Sequence, residues 1–109
     1  MEEDRHMRAR VTWLIADFGG RKSGPPVAGE YRANALFLAP QQSNSEPLEV
    51  EYGSVRFIIA TDDHSDVELD FWSPQDLSRY IYDGSPFIVM EGPRPVGFAR
   101  MFDETQNPI

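Results

Sequence analysis

Arg21 and Lys22 lie in the glycine-flanked segment GGRKSGPP, residues 19–26. Two cations beside successive backbone N–H groups are the kind of arrangement that receives phosphate. A further cation, Arg94, stands between two prolines in the bend of PFIVMEGPRPVGFARM, residues 86–101. Its backbone is stiffened before any partner arrives, so less entropy is lost on engagement. Glu91 precedes that bend and is a carboxylate of the type that takes up a proton. General acid–base work needs a second positioned group, and none accompanies it in the sequence. His64 lies in DDHSD with Asp62, Asp63 and Asp66, a loose set of donors for a cation. Short acidic runs of this kind are ordinarily solvated turns, so no metal site is assigned to it. His6 has no partner near it in sequence.

The motifs of the common enzyme classes are missing. There is no G-x-S-x-G nucleophile elbow, no G-x-x-x-x-G-K-[ST] phosphate loop and no H-E-x-x-H. The expectation is a protein that is not an enzyme, uses no cofactor and binds no nucleotide. With 109 residues and 40% apolar content, one domain can bury a single core. The absence of cysteine excludes disulfides and thiolate metal sites. No apolar run approaches the roughly 18 residues of a membrane-spanning helix, and MEEDRHMRAR carries no apolar segment of a signal peptide. A cytoplasmic location without membrane contact is the expectation.

The net charge of −8 is unevenly distributed. Glu46, Glu49, Glu51, Asp62, Asp63, Asp66, Glu68 and Asp70 stand against Arg56 alone in residues 44–70, whereas residues 19–34 carry Arg21, Lys22 and Arg32 against Glu30. An acidic chain suits a basic partner surface and repels a polyanion, although a local basic rim still creates its own field.

The elements that must position these groups read as strands. Apolar residues alternate with period two in ARVTWLIA (9–16), YRANALFLA (31–39), LEVEYGSVRFIIA (48–60) and VELDFW (67–72), with Gly53 as a bend or bulge. PFIVME and PVGFARMF flank the bend at Arg94, where Gly92 ahead of Pro93 is expected to need a positive φ and Gly97 to allow a bend or a close backbone approach. TDDHSD reads as a turn. SPQDLSRYIYDG (73–84) predicts one short helix of about two turns, with Ser73 as N-cap, Pro74 in the first turn, Asp76 in a capping-box position and Gly84 at the C-terminus. Leu77, Tyr80 and Ile81 share its apolar face. Trp13, Trp72, Phe37, Phe57, Phe71 and Phe87 fall on strand positions and read as barrel core rather than as a base-stacking platform. The fold class is therefore all-β, a closed or nearly closed antiparallel barrel of six or seven strands with one short helix. Its domain is expected to span residues 8–103, with a charged flexible tail at 1–7 and a flexible tail at 104–109.

Two stretches, in order, resemble a known family. GGRKSGPPVAGEYRANALF, residues 19–37, resembles the first loop and second strand of the C-terminal β-barrel (domain III) of elongation factor Tu. GSPFIVMEGPRPVGFARM, residues 84–101, is similar to that domain's closing hairpin. The resemblance runs from about residue 9 to 102 and implies a six-stranded antiparallel barrel. In that family the barrel contacts the T-stem backbone of aminoacyl-tRNA and serves as a protein docking surface. By resemblance the contact positions here are Arg21, Lys22, Ser23, Asn34, Gly92 and Arg94, with Arg32 as a further base beside them. This chain differs in having Lys22 for a histidine, Asn34 for a glutamine, Glu30 inserted before Tyr31, and Pro93 for a glycine. It shows no phosphate loop and is expected to act as a stand-alone barrel. The function expected is a non-catalytic binding module for a protein partner. The alternatives are tRNA-type RNA binding through Arg21, Lys22, Arg32 and Arg94, and an acidic, immunity-type inhibitor of a basic partner.

Overall fold

The structure, a computed structural model, describes residues 7–15, 17, 19–21, 24, 26, 28–39, 49–60, 63–73 and 77–103, with the backbone alone at Asp63, His64, Ser78 and Asp103. Six strands are present: β1 Met7–Trp13, β2 Gly29–Leu38, β3 Val50–Ala60, β4 Asp63–Trp72, β5 Pro86–Glu91 and β6 Arg94–Asp103. They close into a barrel in the order β1-β4-β3-β2-β5-β6, every neighbouring pair antiparallel. The all-β closed barrel expected from the alternation is the fold found, with six strands.

Period-two patterning places one side of each strand inside. Met7, Ala9 and Val11 of β1, Val55, Phe57 and Ile59 of β3, and Val67 and Leu69 of β4 are buried, with the intervening residues more exposed. The interior is filled by rings. Tyr31 stacks on Phe57 with centroids 6.0 Å apart, and Phe57 stacks on Phe87 at 6.3 Å. Phe37 meets Phe87 at 5.4 Å and Phe71 at 5.9 Å. Small inward residues (Ala9, Ala35 and Ala99) make room for this column.

Several local expectations are corrected. Where a two-turn helix is expected, the described residues form a 3₁₀ turn at Ser78–Tyr80, with no side-chain capping hydrogen bond at Leu77. Ser73 donates its hydroxyl to the Tyr52 carbonyl at 3.4 Å, so it ties the end of β4 to β3; Pro74 and Asp76 lie outside the described residues. Leu77 and Tyr80 are nevertheless buried on the core, with Ile81 packed beside them. The TDDHSD turn is shorter than expected, because β4 already begins at Asp63. Gly53 is neither bend nor bulge: it pairs in register with Ala35, and a β-carbon there would stand 3.0 Å from the Phe37 ring. The register shifts fall between Ile58 and Ala60 and between Val89 and Met90. At the latter, consecutive Val96 and Gly97 are both buried, which marks the bulged strand. Trp72 is 50% exposed, because Val67, Leu69 and Phe71 take the inward parity of β4 and Trp72 takes the outward one. Trp13, by contrast, packs edge-on against Phe57 at 6.1 Å.

Two glycines are required by close backbone approach. A β-carbon on Gly97 would lie 3.2 Å from both the Thr12 carbonyl oxygen and the Trp13 ring. At Gly20 it would fall 1.9 Å from the Leu14 carbonyl oxygen, which cannot yield without moving the main chain. Gly97→Val is expected to cost about 1–3 kcal/mol by denaturant melting, and Gly20→Ala to cost at least as much as Gly97→Ala. Wild-type midpoints for Gly20→Ala and Gly97→Val would refute this packing.

Candidate functional site

The residues expected to bind partly converge on the end of the barrel where β5 turns into β6. Glu91 and Arg94 face each other across a two-residue turn, Gly92–Pro93. Gly92 has φ +60, and among the described residues no non-glycine residue has positive φ. A positive φ at the first central position followed by a proline-fixed negative φ is the type II′ hairpin geometry, as expected for Gly92. Arg94 is thus the first residue of β6 rather than part of the bend.

Arg21 reaches this hairpin from the β1–β2 loop. Its Nε donates to Glu91 Oε2 at 2.8 Å and its Nη1 to the Gly24 carbonyl at 2.7 Å, while its guanidinium lies over the Tyr31 ring at 5.1 Å. The Tyr31 hydroxyl donates to the same Glu91 oxygen at 2.5 Å. Glu91 therefore joins two groups 70 and 60 residues away in sequence. This explains its place before the bend: it is a strut between loop, β2 and hairpin. The charge of Arg21 is met internally by Glu91. Arg94 is exposed, and its guanidinium makes no hydrogen bond or ion pair with any described residue.

The other expected positions are dispersed on the outer face of β2. Asn34 is exposed and pairs with Met90 of β5 and Ser54 of β3. Arg32 is ion-paired to Glu30 and stands opposite Arg56, which in turn reaches Glu30 at 3.8 Å and also pairs with Asp70. Lys22 and Ser23 lie outside the described residues. The acids of the central region are drawn into similar pairs: Asp66 with Arg8 and Arg10, Glu68 with Arg8, and Glu49 with Arg79. Among the described residues, no three His, Asp or Glu side chains group as a metal site.

A second surface was not anticipated. Tyr52 of β3, Leu36 of β2, Ile88 of β5, Phe98 of β6 and Thr12 of β1 are directly opposed in turn and form one outward row across five strands. Tyr52 is 59% and Phe98 50% exposed. Around Phe98 the surface dips into a shallow groove of about 630 Å³, extended by Phe102 and Pro86 and bordered by Arg10 and Arg100. Each strand shows only one or two of these residues, so the row becomes visible only once the register is known.

Comparison with known proteins finds no matching protein family, no matching curated protein and no matching solved structure.

Burial raises the Tyr31 pKa well above its ordinary value, helped by the hydrogen bond to Glu91 and the Glu91 charge, with Arg21 opposing. Its contribution to stability is therefore complete below the unfolded-state pKa of about 10 and is lost as pH rises beyond it. In a 295 nm titration, one of the four tyrosines should ionise later than the rest and disappear in Tyr31→Phe. Removing the strut by Glu91→Ala should cost about 1.5–3 kcal/mol, as loss of hydrogen bonds involving a charged partner does. Unchanged stability in Glu91→Ala, or an unchanged late tyrosine in Tyr31→Phe, would show that the strut is not formed.

Proposed function

We propose that this chain is a non-catalytic binding module for a protein partner, built on a barrel of the elongation factor Tu C-terminal type. The observation that carries the reading is the outward apolar row from Tyr52 to Phe98 on a barrel whose interior is occupied by its own rings. A single exposed hydrophobic side chain needs no explanation, but a contiguous exposed patch is a common mark of an interaction surface. A closed sheet offers no free strand edge, so a partner engages it through side chains rather than by adding a strand. Ring packing inside leaves the outer face as the available recognition surface.

The RNA alternative has one supporting feature, the exposed guanidinium of Arg94 at the hairpin, which pairs with no carboxylate among the described residues. It is the weaker reading, because Arg21 and Arg32 are both held by carboxylates and the chain carries −8 overall.

A photo-crosslinking residue placed at Phe98, with a control at Glu68, tests the reading in cells that express the full chain at its native level. Adducts to a defined protein at position 98 and none at 68 are expected. Equal adducts at both positions, or a tRNA gel shift at ~150 mM salt abolished by Arg94→Ala, would overturn it.

A further inference from the structure

We infer that the groove on the outer face of β1 and β6 receives a partner segment bearing a carboxylate next to a large apolar side chain, the carboxylate bridging Arg10 and Arg100. The inference rests on the protein-binding reading and specifies the chemistry of the partner.

The β1–β6 register sets Arg10 directly opposite Arg100. Directly opposed residues of antiparallel strands share a face, and like charges in that position destabilise the pair. Elsewhere the fold compensates such a pairing. Arg32 stands opposite Arg56, and Glu30 and Asp70 lie among their guanidinium groups. The Arg10–Arg100 pair is only half compensated. Arg10 reaches Asp66 at 3.6 Å and lies over the Phe102 ring at 5.5 Å. Arg100 has no carboxylate partner among the described residues, and its Nη1 donates to the Gly84 carbonyl at 2.8 Å. That bond fixes the guanidinium and leaves its other N–H donors for a ligand.

The uncompensated charge lies in the groove beside Phe98 and Phe102, which are 50% and 36% exposed. Arginine beside aromatic rings is a frequent anchor of protein interfaces, and a carboxylate fits two guanidinium groups through short charge-assisted hydrogen bonds. A single carboxylate satisfies the local charge. A polyphosphate chain would bring many charges toward a protein of net −8. The favoured occupant is therefore a short protein segment in which Asp or Glu lies within one or two positions of Phe, Leu, Trp or Met.

Selection of a random peptide library on the immobilised full chain, followed by titration of the enriched peptides, tests this. Enriched peptides should carry that pairing, and Arg100→Glu should weaken their binding about tenfold or more. Phe98→Ser should weaken it as well. As a control on folding, Arg100→Glu creates an opposite-charge pair with Arg10 and should melt no lower than wild type. Should that variant melt lower, Arg100→Gln replaces it in the titration. Peptides without a carboxylate, or peptides whose affinity is unchanged in the Arg100 and Phe98 variants, would overturn this inference and leave the broader protein-binding reading intact. Failure to enrich any peptide would overturn the short-segment inference. Single-stranded RNA bound in the groove and lost in Phe98→Ser would overturn both readings.

Discussion

Closure of the sheet through β1 is the constraint on which the other features depend. All seven of its residues pair with β6, and Arg8–Arg10 pair on the other side with Asp66–Glu68 of β4. Without this strand the sheet would be an open one with two free edges, exposing backbone donors and acceptors as templates for aggregation. With it, the six strands enclose an interior narrow enough for side chains to fill. That requirement selects the column from Phe71 through Phe37, Phe87 and Phe57 to Tyr31, and it explains why alanines alternate with rings on the inner faces. It also leaves the outer faces and the loop ends as the surfaces on which recognition can be built.

The arginines divide along the same line. Arg8, Arg10, Arg21, Arg32, Arg56 and Arg79 all meet carboxylates, mostly across strands or between a loop and a strand. Exposed pairs of this kind are individually worth little, about 0–1 kcal/mol, and chiefly keep the register and surface charge in order. Arg21 differs, because its partner Glu91 also accepts from Tyr31, so that one carboxylate links the β1–β2 loop to β2 and the last hairpin. Among the described arginines, Arg94 and Arg100 pair with no carboxylate, and both are on β6. The overall acidity of the chain therefore conceals positive positions that only the tertiary structure separates from the paired ones.

Alternation and turn chemistry were enough to read the barrel from the sequence. Gly92 ahead of Pro93 announced a positive φ, and Gly97 announced a close approach, which the Thr12 carbonyl provides. The helix at 73–84 was misread because its caps and spacing are local signals, while burial of Leu77 and Tyr80 needs only a single turn. Trp72 was misread because adjacent Phe71 and Trp72 look equally apolar, and only the parity set by Leu69 shows which points inward. Arg21 was expected from the sequence to meet an external partner; its carboxylate partner within the fold, Glu91, lies 70 residues away, and no periodicity encodes that separation. The outward row was invisible for the same reason: it is a property of register between five strands.

Strand propensity alone does not account for that row. Tyr, Ile and Phe favour extended backbone, so some will appear on any outer face. Yet β4 pairs equally well with Asp66, Glu68 and Asp70 at consecutive outward positions, each matched to an arginine on a neighbouring strand. The same barrel thus builds one outer face from compensated charges and another from Tyr52, Leu36, Ile88 and Phe98. Solubility would be served by the first pattern throughout. The second adds exposed apolar area and, two residues along β6 from Phe98, a guanidinium opposite another guanidinium. An arrangement unfavourable in the free protein would become favourable once a carboxylate and an apolar side chain covered it, as the proposed partner segment would do.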